Sequence, residues 1–175
     1  MAALPFSHKH TVRFSAGCMP VRKGGTLMLF SPNESLMPDT PQLWAKIIKE
    51  DLASAKALLE CKQARNAVLL ASAALEKSIK MYLALSDNLS DEDATHNIAS
   101  LAKKANLLER APQNVKETFF ALSRVHVPGS YPANEFVYGI LSDEARAKAA
   151  YNSVCSAVRW VLKEAGLRGG CSGNV

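Results

Sequence analysis

The chain has 175 residues, of which 48% are hydrophobic and 21% charged, and a net charge of +5. That length and apolar share support one compact domain with a real core and some chain left for tails, and they exclude a wholly disordered protein. The modest positive charge admits a nucleotide, a nucleic acid or an acidic partner without singling one out, because many soluble proteins of this size are as basic.

Residues 1–39 contain Pro5, Pro20, Pro32 and Pro38 with Gly17, Gly24 and Gly25, and show no sustained period. Val12–Phe14 and Thr26–Phe30 fit short strands around an Arg22–Gly25 turn, but an isolated hairpin is marginal, so the region reads as an N-terminal arm. It holds four basic and two acidic residues, and so carries +2 of the net charge. From Thr40 the pattern becomes helical. Thr40 suits an N-cap and Pro41 the first helical position. Trp44, Ile48, Leu52, Ala55 and Leu59 then form an apolar stripe.

A second helix is expected over about Gln63–Leu85. Val68, Ala71, Leu75, Ile79 and Tyr82 lie on one face, and Leu70, Ala74 and Leu85 widen it, so this helix should be central in a bundle. After a polar break at Ser86–Asp93, Thr95 caps a shorter helix bearing Ile98, Leu101, Ala105 and Leu108. Pro112 opens another with Val115, Phe119 and Leu122. Ser142 caps the last helix, where Asp143 and Glu144 suit the positive end of the dipole. Its stripe is Tyr151, Val154, Val158, Val161 and Ala165, and Gly166 stops it. The expected fold is all-α: an antiparallel up-and-down bundle of four long helices plus one short helix over 40–166, with an irregular arm before it and a loose tail at 167–175.

Cys18, Cys61, Cys155 and Cys171 form no CxxC pair and no zinc-type spacing, so neither a metal nor a cofactor is expected. Cys61 and Cys155 fall in helical patterns and read as small buried apolar residues. A reducing, cytoplasmic setting fits this usage. No apolar run approaches the roughly 20 residues that span a bilayer, so no membrane association is expected. Trp44 and Trp160 read as core or dimer-interface residues. Lys103, Lys104, Arg110 and Lys116 form a basic area without the interleaved aromatics that stack on single-stranded RNA.

Leu122–Pro132, LSRVHVPGSYP, is the stretch that packing alone does not explain. Pro128, Gly129 and Pro132 stop helix and fix a turn, and Arg124, His126 and Tyr131 sit on or beside it. Each has a chemical reading and a structural one. His126 suits proton transfer near neutral pH, and Arg124 suits phosphate binding. Alternatively Arg124 caps its helix and His126 packs on the turn. Tyr131 either stacks on a base or anchors the loop by its ring. His96 sits at a helix start, where it either contacts a phosphate or fixes loop geometry with Thr95. Lys77 with Lys80 and Arg65 forms either an anion-binding face or a solvated one. Glu76 and Lys80 are spaced for a surface pair worth about 0.3 kcal/mol.

Three segments in order carry a family resemblance. Ala73–Lys80, AALEKSIK, followed by Met81–Leu85, resembles the second helix of the HEPN family. Thr95-His96-Asn97-Ile98 with Leu101 resembles its Thr-His-Asp-Leu segment, and Leu122–Pro132 resembles the stretch before its last helix, which often ends in Arg-Tyr-Pro. Asp51-Leu52 and Leu58-Leu59 fit its first helix. The resemblance covers about 40–166. It implies a helical bundle that forms homodimers, and a role among nucleotide-binding proteins, non-catalytic partners of minimal nucleotidyltransferases, or metal-independent ribonuclease toxins of toxin–antitoxin pairs.

The nuclease members carry an arginine, four to six residues, then a histidine. Here Val125 alone separates Arg124 from His126, and Ser130 and Ala133 replace the usual arginine and acidic residue around Tyr-Pro. The reading that follows is a dimeric, non-catalytic HEPN-like binding module for a nucleotide, RNA or a nucleotidyltransferase-type partner, with His96, Tyr131, Lys77, Lys80 and Arg65 as its ligand residues. The alternative is a divergent ribonuclease that uses Arg124 and His126 across a dimer.

Overall fold

A computed structural model of the chain describes residues 38, 40–90, 95–125, 129–130 and 132–167. Nearly all of the N-terminal arm, His126, Tyr131 and nearly all of the tail therefore lie outside the described residues. Those described form α1 (Pro41–Glu60), α2 (Ala64–Leu85), α3 (Ile98–Lys104), α4 (Leu107–Arg110), α5 (Gln113–Leu122), α6 (Glu135–Leu141) and α7 (Glu144–Glu164), and no strand. The fold is the all-α bundle expected. None of these helices is long and apolar enough to cross a membrane.

The first helix begins as its sequence dictates. Thr40 Oγ1 accepts from Leu43 N–H at 3.2 Å, and Pro41 follows at the first helical position. Trp44, Ile48, Leu52 and Ala55 are buried, and the opposite side is wet. Three helices close in the same way. Gln63, Asn88 and Leu167 donate back to Leu58, Leu83 and Leu162, across Lys62, Asp87 and Gly166 at positive φ. This is the closure that a left-handed residue after the helix permits. Gly166 meets it without strain, whereas Lys62 and Asp87 hold the conformation with a side chain attached.

The centre of the bundle is α2, which packs on α1, α3, α6 and α7. Burial extends around most of its circumference: Val68, Ala71, Leu75 and Ile79 are covered, and so are Ala67, Met81 and Leu83. Small residues at Ala67, Ala71, Ala74 and Ser78 bring neighbouring backbones close. The three-residue link makes α1 and α2 antiparallel. Arg110 touches both Tyr82 near the end of α2 and Glu164 at the end of α7, so these two helices run the same way. A shallow groove lined by Ala121 and Leu122 on one side and Ala150 and Ser153 on the other, with Phe119 against Trp160, makes α5 antiparallel to α7.

Several local expectations are corrected. Asn97, not Thr95, caps α3 by accepting from Ser100 N–H at 3.0 Å, while Thr95 Oγ1 accepts from Asn97 N–H one turn earlier. The helix expected through Leu108 breaks at Asn106, which takes φ 54°, so α3 and α4 are separate. Asp143, not Ser142, caps α7, because its carboxylate reaches Arg146 N–H at 2.7 Å. Ser142 Oγ is left without a partner among the described residues. A seven-residue helix, α6, stands where the turn was expected to lead straight into the last helix. Cys61 is exposed, because it follows α1 in the link, and Cys155 is half-buried on the flank of α7.

Leu75 is fully buried in α2. Leu75→Ala should therefore lower stability by about 2–5 kcal/mol in chemical denaturation, since the surroundings of a buried leucine relax only partly around the lost volume.

Candidate functional site

The buried helix α2 carries two charges inward. Glu76 and Lys80, one turn apart, are only 9% and 6% exposed. Lys80 Nζ stands 2.8 Å from Glu76 Oε1. The segment before α3 brings His96 over the same carboxylate, with Nδ1 3.0 Å from Oε2 and 3.2 Å from Oε1. A carboxylate accepts only, so the hydrogen of this contact belongs to Nδ1. The ring is fixed at one nitrogen, while the side chain stays 54% exposed. Beside this cluster Lys77 Nζ reaches Asp51 Oδ2 of α1 at 2.5 Å.

This geometry corrects the solvated-face reading of Lys77, Lys80 and Arg65. Lys80 is an interior cation neutralised by Glu76, Lys77 is half-buried on Asp51, and Arg65 is half-buried. Nor do the three cations form one anion site. At 1.5 Å per residue, Arg65 lies about 18 Å along the axis from Lys77 and about 22 Å from Lys80.

Arg65 serves the other end of α2. Its Nη1 donates to the carbonyl oxygen of Gly129, and its guanidinium carbon lies 6.0 Å from the ring centroid of Tyr138 on α6. Gly129 N–H donates to Val125 O at 2.7 Å, the i→i−4 bond of a helical turn, and Gly129 and Ser130 are helical, so Gly129 does not stop helix as expected.

His96 and Arg124 belong to segments that the tertiary structure joins. Ala99 N–H, in the first turn of α3, donates to Ser123 Oγ at 2.6 Å, and that hydroxyl donates to Phe119 O at 2.6 Å. The end of α5 is thus capped by Ser123 and tied to the start of α3. Arg124, the next residue, is exposed and makes no hydrogen bond or ion pair among the described residues, so the helix-capping role expected for it is taken by its neighbour. His126 and Tyr131, the remaining sequence candidates, lie outside the described residues. In the basic area, Lys104 bonds Ser90 Oγ at 3.0 Å, and Arg110 is committed to Glu164 and the Tyr82 hydroxyl, both at 2.7 Å. Trp44 is a core residue, and Trp160 is half-buried against Phe119.

Glu76 and Tyr138 are the site residues that sequence reasoning missed. For Glu76 a signal was present: α2 has only Arg65, Glu76, Lys77 and Lys80 as charged residues along 22, so a charge there has little solvent to face.

The family model for the HEPN domain matches residues 41–165. The chain belongs to the HEPN domain family. A crystal structure of an archaeal HEPN homologue superposes with a TM-score of 0.59 at 18% identity, covering 73% of this chain and 99% of that one. At that identity the likeness is one of fold. No curated protein matches the sequence. The matched span of this HEPN domain holds every helix from α1 to α7, with Glu76, His96 and Arg124 all inside it.

Removing one partner of a buried pair strands the other charge. Lys80→Met should destabilise this HEPN domain by about 3 kcal/mol or more, while Lys80→Met combined with Glu76→Leu should recover most of that loss. A double-mutant cycle in urea measures the difference.

Proposed function

We propose that this HEPN domain is a self-associating, non-catalytic binding module that holds the phosphates of a nucleotide or RNA at the end of the bundle where α3 begins and α5 ends. The carrying observation is the anchored histidine. A half-exposed His96 has one nitrogen fixed by a buried Glu76, itself held by Lys80, in a segment tied to the end of α5 by the Ala99–Ser123 bond. An imidazole fixed in this way loses little freedom on binding, and an exposed guanidinium supplies paired donors to phosphate oxygens. Arg124, directly after Ser123, provides that group. Family membership supports the nucleotide or nucleic-acid class of ligand and the self-association. A nucleotidyltransferase-type protein is the macromolecular partner that the same membership favours.

The non-catalytic reading rests on the single residue between Arg124 and His126, against the four to six of nuclease members. One observation favours the second reading, a divergent ribonuclease: a carboxylate-oriented imidazole is also what general-base catalysis uses.

Titration of labelled ATP, GTP and a short single-stranded RNA into the full chain tests this. Binding should weaken as salt rises, and Arg124→Ala and His96→Ala should each raise Kd about tenfold or more with the thermal midpoint of Arg124→Ala unchanged. Light scattering should give twice the chain mass. RNA cleaved by wild type but not by His126→Ala would replace the binding module with the ribonuclease, and absence of binding to all three ligands would remove the phosphate-holding role.

A further inference from the structure

Arg65 is a long cation near the start of α2, on the same face as Glu76 but about 16 Å away along the axis. It is too far from His96 to share its carboxylate. Instead it reaches two pieces of chain that are separate in sequence, the Gly129 carbonyl and the ring of Tyr138. Gly129 approaches α2 closely enough that a side chain there would have to displace the end of Leu69. A Cβ there would stand 2.5 Å from Leu69 Cδ2, 3.1 Å from Leu69 Cγ and 3.5 Å from Val125 Cγ1. Gly129 therefore lies against the Leu69 side chain of α2, with Arg65 bonded to its carbonyl.

We infer that Arg65 is a positioning residue: by holding the Gly129 carbonyl and the Tyr138 ring, it seats Gly129 on α2 and so, through the bond from Gly129 to Val125, places Arg124 for its ligand. The part about the ligand rests on the binding role proposed above; the clamp itself does not. A guanidinium suits this work because it is planar and offers several donors, so one group bonds a carbonyl and lies near an aromatic face. An ammonium donates to the carbonyl but lacks the plane. Gly129 completes the clamp from the other side, since a methyl there would have to push the end of Leu69 aside. Val125 O accepts from Gly129 N–H, so exchange of that one amide reports whether the turn is seated.

The test uses the full chain and two readouts. In Arg65→Ala, hydrogen exchange at the Gly129 amide should quicken about tenfold or more, while core amides of α7 such as Val158 keep their protection. Gly129→Ala should quicken exchange at residue 129 in the same way, and adding Leu69→Ala should reverse much of that effect by freeing the space under the new methyl. Arg65→Lys should fall between wild type and Arg65→Ala. For any nucleotide or RNA that wild type binds, Arg65→Ala should raise Kd by about the factor seen for Arg124→Ala. An unchanged Gly129 amide in Arg65→Ala overturns the clamp whether or not a ligand binds. Faster exchange with unchanged affinity overturns the positioning role. Faster exchange in a protein whose wild type binds no ligand upholds the clamp and counts against the phosphate-binding reading alone. Uniform loss of protection, including Val158, would show that Arg65 holds the whole bundle and would overturn the local role.

Discussion

The rest of the bundle depends on covering α2. Helices α1, α3, α6 and α7 all lie against it, and its small residues let them approach closely. An amphipathic helix needs one neighbour, whereas a helix buried around most of its circumference needs several, and their positions then become mutually dependent. The order of the remaining elements follows from this. The short link sends α1 back along α2, the pieces α3 to α5 cross to the other flank, and α7 returns parallel to α2 with α5 beside it.

Such burial makes any charge on α2 expensive, and the charges present are those that tie distant segments together. Glu76 is tolerable inside because Lys80 and His96 meet its oxygens. The same pairing fixes the segment leading into α3, so a requirement of the core, satisfying a buried carboxylate, also aims a partly exposed imidazole. Arg65 repeats the arrangement at the start of α2, where its half-buried guanidinium meets a backbone carbonyl and an aromatic ring. At the start and near the middle of the central helix a charged group therefore holds chain that comes from far along the sequence. The clasp of Arg110 with Tyr82 and Glu164 does the same for the ends of α2 and α7.

Local sequence signals were legible where the interactions are local. Thr40-Pro41, the stripes of α1 and α7, and Gly166 act within a turn or two of chain, and the bundle architecture follows from their order and the short links. The site was legible only in part. His96 and Arg124 stand out as residue types, but the bond from Ala99 to Ser123, which unites their segments, spans 24 residues and leaves no periodic trace. Glu76 and Lys80 have the spacing of a surface pair, and only the number of neighbours around α2 makes them interior. The caps at Asn97 and Asp143 were misplaced by one or two residues, because Thr95-His96-Asn97 and Ser142-Asp143 each offer more than one capping side chain and backbone direction chooses between them.

The amino-acid sequence by itself determined an all-α bundle with a wide apolar second helix, because periodicity, caps and prolines act over a few residues. Tertiary structure alone decided that Lys80 is an interior cation, that His96 is anchored by Glu76, and that Arg65 grips Gly129 and Tyr138. Those outcomes depend on which helices cover α2, since burial turns an ordinary charged residue into one that must find a partner.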